Sequence, residues 1–238
     1  MAVSLTERLR GLRGQVVDKT INGAGLQLEL SARYGYGLTV EREDHTYVFH
    51  LPDAANDPVQ ARMIRQAALP QEDALLRLRR RAHKGSVILD ACCGCGARPV
   101  FFAKSMEAKR VYALGTSAHS VALTRKNVLL NDMEDIVRAY WLNVTGEKLK
   151  GPFASMDKFV KDQKVDLVDV LSLDANAGGA VSGGGAEELI SRFGPAVVFW
   201  GQDATAEQVK GLTDMLAAQG YKQPERWTSE ILYWVPHI

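Results

Sequence analysis

Asp90-Ala-Cys-Cys-Gly-Cys-Gly96 follows directly on the apolar run Val87-Ile-Leu, so an acid, three thiols and two glycines crowd into one turn. Cys92, Cys93 and Cys95 are the only cysteines of the chain. An odd number at this spacing cannot build a disulfide framework, and with no remote Cys partner it does not suit a structural zinc site. The thiols read as small residues packed into a tight turn, with no metal expected. Gly94 and Gly96 can take positive φ and let backbone N–H groups approach a ligand closely. The Asp90 carboxylate at the strand end can accept from a ligand ammonium or hydroxyl. Gly-x-Gly alone says little, and a tight strand-to-helix turn with no ligand remains the alternative. Set between an acid-ended strand and a helix, the pattern points to a ligand cradle.

Other residues invite chemistry with less support. Asp174 ends a later apolar run, where it is a candidate base or acceptor-orienting group, or simply a cap for the adjoining loop. His119 sits near the start of a helix. His45 and His50 fall in N-terminal strands that could cover a pocket. Tyr140 and Trp141 end a strand and read as core. Glu187-Glu188 follow Gly183-Gly-Gly185 at a helix start, where acids suit the macrodipole. Arg79-Arg-Arg-Ala-His-Lys84 before Gly85 is ordinary helix-end chemistry, with a nucleic-acid patch as the sharper alternative.

The elements that must position these residues follow from periodicity. Ser4 to Arg13 reads as a short basic amphipathic helix. Gly23 to Leu51 alternates enough for two or three antiparallel strands. Asp57-Pro58 caps and opens a helix through Leu69, and a second helix spans Gln71 to Ala82. Strands then alternate with helices. The strands are Val87 to Asp90, Arg110 to Leu114, Ile136 to Leu142, Val165 to Leu173 and Ala196 to Trp200. The helices are Pro99 to Met106, Ser117 to Asn131, Ala186 to Phe193 and Thr205 to Gln219. Gln223 to Trp227 and Ser229 to Val235 pair at the C-terminal edge. The glycine-rich stretch Ala175 to Gly185 is the one low-complexity segment. This order predicts an α/β fold with a doubly wound, mainly parallel seven-stranded sheet, preceded by a helix and antiparallel-strand extension. Residues 1–70 form the extension, a lid or dimer element, and residues 71–238 the α/β domain.

With 238 residues, 46% of them apolar, a large core can be buried. Acids and bases nearly cancel, to a net charge of +1, which leaves no overall electrostatic footprint for nucleic acid or an anionic membrane. No apolar run reaches the roughly 20 residues that span a bilayer, and the first residues lack a secretory stretch. The expectation is a cytoplasmic protein with a small-molecule partner, no nucleic acid and no membrane, and a composition compatible with a homo-oligomer.

Val87-Ile-Leu-Asp-Ala-Cys-Cys-Gly-Cys-Gly96 resembles motif I of class I S-adenosylmethionine-dependent methyltransferases. The wider pattern is similar to the FkbM family. It has Glu72, Lys84 and Gly85 before the motif, then Val111-Tyr-Ala113, then Asn127 and Asn131 on the next helix. Met156 to Val160 and Leu171-Ser-Leu-Asp174 complete it. The resemblance implies a Rossmann-like methyltransferase fold, S-adenosylmethionine as cofactor and O-methylation of a small molecule. It implies cofactor contacts at Asp90, Cys92, Gly94, Gly96, Gly115, Thr116 and Ser117, with Asp174 as the catalytic candidate. Five positions depart from the family. Cys92 replaces the first glycine of motif I, Gly115 stands where an acid usually holds the ribose, and Ser172, Asn176 and Ala177 replace Lys, Glu and Gly. These departures keep a second reading open, a methyltransferase-like domain that acts as scaffold or binding partner without catalysis. A nicotinamide enzyme fits less well, since Pro99 falls where the third glycine of Gly-x-Gly-x-x-Gly would lie.

Overall fold

The computed structural model describes residues 18–20, 27–31, 35–42, 45–54, 56–91, 93–142 and 155–237. The N-terminal part forms its own antiparallel sheet in the order β1-β2-β3-β4: β1 (Asp18–Thr20), β2 (Gln27–Ser31), β3 (Gly35–Arg42) and β4 (His45–Leu51). This is four strands rather than two or three, the first lying ahead of the stretch whose alternation was visible. The helix expected over Ser4 to Arg13 lies outside the described residues.

Asp57 caps α1 (Pro58–Gln66) by accepting from the Val59 and Gln60 amides. The helix stops short of Leu69 because Ala67 turns left-handed at φ 57°. Next comes α2 (Glu72–Arg81), entered through Gln71 at φ 54°. The alternating α/β part then runs β5 (Val87–Ala91), α3 (Ala97–Lys104), β6 (Arg110–Gly115), α4 (Ala118–Leu130) and β7 (Val137–Trp141). It continues through α5 (Met156–Asp162), β8 (Val170–Asp174), α6 (Ala175–Ser182), α7 (Glu187–Phe193), β9 (Ala196–Trp200) and α8 (Ala206–Ala218). The chain closes with β10 (Glu225–Arg226) and β11 (Ile231–Trp234).

These strands make one seven-stranded sheet in the order β10-β11-β9-β8-β5-β6-β7. The five from β5 to β9 are parallel to one another. β11 inserts antiparallel between β9 and β10, so β10 is the edge. Alternate residues on each strand enter opposite layers, as a strand's period of two requires. Ile88, Val170 and Val198 face a core shared with α2, α3, α4 and the N-terminal sheet. Leu89, Leu171 and Phe199 face a core closed by α5 to α8. Helices on both faces of a mainly parallel sheet are the Rossmann-like arrangement.

The segment Ala175 to Ser182 is a helix, although its glycines read as a loop. Asp174 supplies the N-cap by accepting from the Ala177 amide at 2.9 Å. Gly178 then lets the helix press onto Phe199, whose ring would lie 2.6 Å from an added Cβ. The fourth parallel strand starts at Val170 rather than Val165. The Asp169 side chain accepts from the Val87 amide at 2.7 Å and its own amide donates to the Val87 carbonyl, fixing the entry into β8. Val165 and Val168 are buried in the core without being strand.

The N-terminal sheet is attached to α4 by two carboxamides. Asn131 accepts from the Val48 amide at 3.0 Å and donates to the Val48 carbonyl at 2.6 Å. One turn earlier, Asn127 accepts from the His50 amide at 2.6 Å and donates to the carbonyls of His50 at 3.0 Å and Cys95 at 2.8 Å. Each amide therefore serves β4 as a neighbouring strand would. Asn127→Ala leaves three buried backbone groups without partners and should lower stability by roughly 3 kcal/mol. Urea denaturation checks this, and a midpoint close to the parent's would contradict the attachment.

His50 gives the same junction a pH dependence. Burial, aided by the Lys126 ammonium and opposed by Asp53, pushes its imidazole from 6.5 down to about 4. A depressed folded-state value means that the unfolded chain takes the proton first. Stability is complete above about pH 6.5 and declines as pH falls from there to about 4. His50→Gln should flatten that part of a stability-against-pH curve, measured by denaturant midpoints from pH 7.5 to 4.5.

Candidate active site

β5 and β8 are neighbours, yet the chain leaves β5 toward β6 and leaves β8 toward β9 on the other side. Such a switch in winding opens a crevice at the carboxyl ends of the two strands. A cavity of about 340 Å³ lies there. Cys93, Gly94 and Arg98 line it from the turn after β5, Asp174 from the end of β8, and Trp200 and Gln202 from the end of β9. Asp57 and Gln71, flanking α1 and α2, close it from the N-terminal side.

One connected polar chain crosses three strands at the site; its Arg98 and Trp200 line the cavity, whereas Asp90 and Ser172 are buried and do not. Trp200 Nε1 donates to Ser172 Oγ at 2.8 Å, and Ser172 Oγ donates to Asp90 Oδ1 at 2.5 Å. Arg98 Nε stands 3.3 Å from the same oxygen, with its guanidinium 5.5 Å from the centre of the Trp200 ring. Asp90 is fully buried. Burial pushes its carboxyl above the ordinary range, while Arg98 and the Ser172 hydroxyl pull it back and Asp174 adds to the rise. Its second oxygen, Oδ2, is buried with no hydrogen-bond partner among the described residues.

The two described motif glycines do different work. Gly94 is exposed at φ 55°, and a Cβ there would enter open space. Gly96, at φ 85°, is a packing glycine: a Cβ would sit 3.0 Å from the Thr124 backbone on α4. Cys93 Sγ lies 3.2 Å from Thr124 Oγ1, and Cys95 Sγ lies 3.9 Å from Met63 Sδ. Burial raises the two thiols to about 12 and about 11, so both are packed neutral groups. Cys92 lies outside the described residues. In a Cys92→Ser variant, Cys93 and Cys95 should resist a thiol reagent at pH 8 and react fully once unfolded. Rapid labelling of the folded protein, read by mass, would contradict their burial.

The ribose-side expectations place differently. Gly115 ends β6, Thr116 and Ser117 lead into α4, and none of the three lines the cavity. A Cβ on Gly115 would lie 2.7 Å from Ser120 Oγ and 2.8 Å from Val121 Cγ2, so this glycine seats the first turn of α4. Ser117 forms a capping box with Ser120, and the Thr116 carbonyl accepts from Trp141 Nε1 at 3.3 Å. His119 lies on the surface, 2.7 Å from Asp53. Tyr140 packs edge-on against Phe159, as a core residue. Glu187 and Glu188 are exposed, and Asp157 caps their helix by accepting from the Glu188 and Leu189 amides. His45 and His50 do not reach the cavity.

Arg98 and Trp200 are the site residues that sequence reasoning passed over. The signal for Arg98 was a cation in the first turn of an otherwise apolar helix, where the macrodipole disfavours it. Such a residue calls for a buried acid, and Asp90 is that acid.

An S-adenosyl amino acid suits the groups gathered here. Gly94 offers bare backbone beside the open space, and Asp90 Oδ2 is an acceptor in want of a donor. The model of the TRM5/TYW2 methyltransferase domain matches residues 68–163. A protein in the NADB-Rossmann superfamily from Streptococcus agalactiae aligns at 14% identity and TM-score 0.51, covering 69% of this chain and 68% of that one. M. jannaschii TYW2 in complex with AdoMet aligns at 12% identity and TM-score 0.49, covering 87% and 86%. The B. subtilis M1A22 tRNA methyltransferase TrmK aligns at 10% identity and TM-score 0.47, covering 68% and 65%. A comparison with proteins of curated function gave no match.

Fold, glycine turn and family match together define a class I S-adenosylmethionine-dependent methyltransferase. The family model that matches is TRM5/TYW2 rather than FkbM. One expectation is corrected by it. The near-zero net charge suggested that no nucleic acid is involved, whereas the family model that matches residues 68–163 is that of the TRM5/TYW2 methyltransferase domain. Net charge averages over the whole surface and so hides any local basic face. Among the described residues no helix is long and apolar enough to cross a membrane.

Proposed function

We propose that this protein transfers the methyl group of S-adenosylmethionine to a base of an RNA, with tRNA as the first candidate. The match to the TRM5/TYW2 methyltransferase domain carries this reading. The cavity wall supports it, since Gln202, Asp203 and Gln208 offer amide and carboxylate groups suited to the edge of a base. So does α2, which begins beside the cavity at Gln71 and carries Arg77, Arg79, Arg80 and Arg81 along its length. Arg77 also donates to the Trp227 carbonyl and Arg81 pairs with Glu225, but pairs near the surface hold little and can yield to phosphates.

The bound cofactor supplies an already activated methyl group. The protein's part is alignment, and holding the two reactants in register can supply several kcal/mol of the barrier. In this reading Gly94 presents main chain to the cofactor's amino-acid end and Asp90 Oδ2 accepts from its ammonium. Asp174 faces the acceptor and receives the proton lost from the methylated group, its Oδ1 steadied by the Ala177 amide. Residues 1–70 are read as a separate extension, of which Asp57, Pro58, Val59 and Pro70 line the cavity.

A second reading, binding without catalysis, is favoured by one observation: Gly115 is packed against α4 where an acid would hold the ribose. One assay separates the two. Radiolabelled S-adenosylmethionine is supplied with total tRNA, and in parallel with a small-molecule extract. Label in ribonuclease-sensitive, acid-insoluble material is expected, and it should fall at least tenfold in Asp90→Ala. Label only in the small-molecule arm would overturn the RNA acceptor. No transfer in either arm, with S-adenosylhomocysteine still bound, would favour the non-catalytic reading.

A further inference from the structure

The cavity carries an uneven set of charges. Asp57, Asp174 and Asp203 line it, and Arg98 is the one basic residue among the described residues that do so. Three carboxylates suit a cationic ligand but repel a ligand carboxylate. A zwitterionic amino-acid group can enter only if its own carboxylate meets a cation. Arg98 is placed for this. It lies in the first turn of α3, directly after the glycine turn, with its side chain only 11% exposed. Its Nε edge is turned to Asp90 and its plane lies near the Trp200 ring. Those two neighbours fix the direction of a long side chain that would otherwise lose rotamer freedom on binding.

Resting on the methyltransferase reading, we infer that Arg98 is the anchor for the α-carboxylate of the cofactor's amino-acid moiety, so the cofactor binds amino-acid end first at the β5–β8 crevice. The geometry divides the ligand. The described cavity lies on the Arg98–Asp174–Trp200 side of the glycine turn, whereas Gly115, Thr116 and Ser117 on the other side do not line it. With no acid at Gly115 to hold ribose hydroxyls, the amino-acid end carries a larger share of recognition. A planar guanidinium matches a carboxylate with two parallel N–H bonds, which a lysine ammonium cannot reproduce.

Calorimetry with two ligands tests the assignment. S-adenosylhomocysteine has the amino-acid group, while 5′-methylthioadenosine keeps the adenosine and sulfur without it. Arg98→Gln should weaken S-adenosylhomocysteine by about 10- to 100-fold, Arg98→Lys should weaken it less, and both should leave 5′-methylthioadenosine within about twofold of the parent. The raised Asp90 carboxyl can take up a proton when its cation is removed, which favours a folded variant. Equal losses for both ligands would overturn the inference, because Arg98 would then act only by holding Asp90 and the turn. An unchanged affinity for S-adenosylhomocysteine would overturn it as well. Should Arg98→Gln fail to fold, the parent protein gives the answer with the decarboxylated analogue of S-adenosylhomocysteine. That analogue should bind tens of times more weakly, and equal binding would refute the contact. If the parent binds none of these adenosyl ligands, the methyltransferase reading itself fails, a result distinct from the loss of the Arg98 contact alone.

Discussion

The carboxamide of Asn127 donates to the carbonyls of His50 and Cys95 and accepts from the His50 amide, all in a fully buried setting. Those three bonds tie together the glycine turn, the helix after β6 and the last strand of the N-terminal sheet. A buried backbone carbonyl without a partner is costly, so the turn can hold its shape only while α4 keeps this register. Gly96 imposes the matching requirement from the other side, since a Cβ there would press on the Thr124 backbone of α4 at 3.0 Å and its φ of 85° strains any other residue. The turn is therefore held by a polar contact and a steric one on the same helix. Gly94 is the exposed residue of the turn and, with Cys93 and Cys95, lines the cavity.

A buried acid would ordinarily destabilise such an arrangement. Here Asp90 is compensated on one oxygen only, by the Ser172 hydroxyl and the Arg98 guanidinium, with Trp200 continuing the chain of donors. Three adjacent parallel strands, β5, β8 and β9, thereby share one network at their carboxyl ends. Networks of this kind specify geometry when fully satisfied and carry strain when they are not. The one oxygen left over is buried and is not part of the cavity lining, and a ligand donor that reached it would turn a ground-state cost into a binding preference.

Much of the fold was legible because its signals are local. The runs at Val87, Arg110, Ala196 and Ile231 are short and bounded by turns, and each becomes a strand where periodicity placed it. Asn127 and Asn131 were visible as a pair one helical turn apart, though not the strand they hold, because β4 lies some eighty residues earlier. The helix Ala175–Ser182 was hidden, since Gly178 and Gly179 depress helix propensity and the reason for them, contact with Phe199, is tertiary. Ser117 illustrates the reverse error. Its place after β6 suggested a ligand contact, but a serine there is equally the N-cap of the next helix, and the capping box shows that role. Arg98 and Trp200 could not be paired from the sequence because only the strand order β9-β8-β5 brings them together.

The same strand order explains why the missing ribose acid is not an isolated loss. A side chain at Gly115 would collide with Ser120 Oγ, which is held in the capping box, and with the β-branched Val121. Restoring an acid would mean pushing back the first turn of α4, and with it the helix that carries Asn127 and Thr124 against the glycine turn. The close seating of α4 and the absence of the acid are one structural choice. An acid at the end of β6 would require Ser120 and Val121 to shift. Selectivity for an adenosyl amino acid has to be concentrated instead where the fold still offers charge, between Asp90, Arg98 and Asp174 at the crevice beside β8.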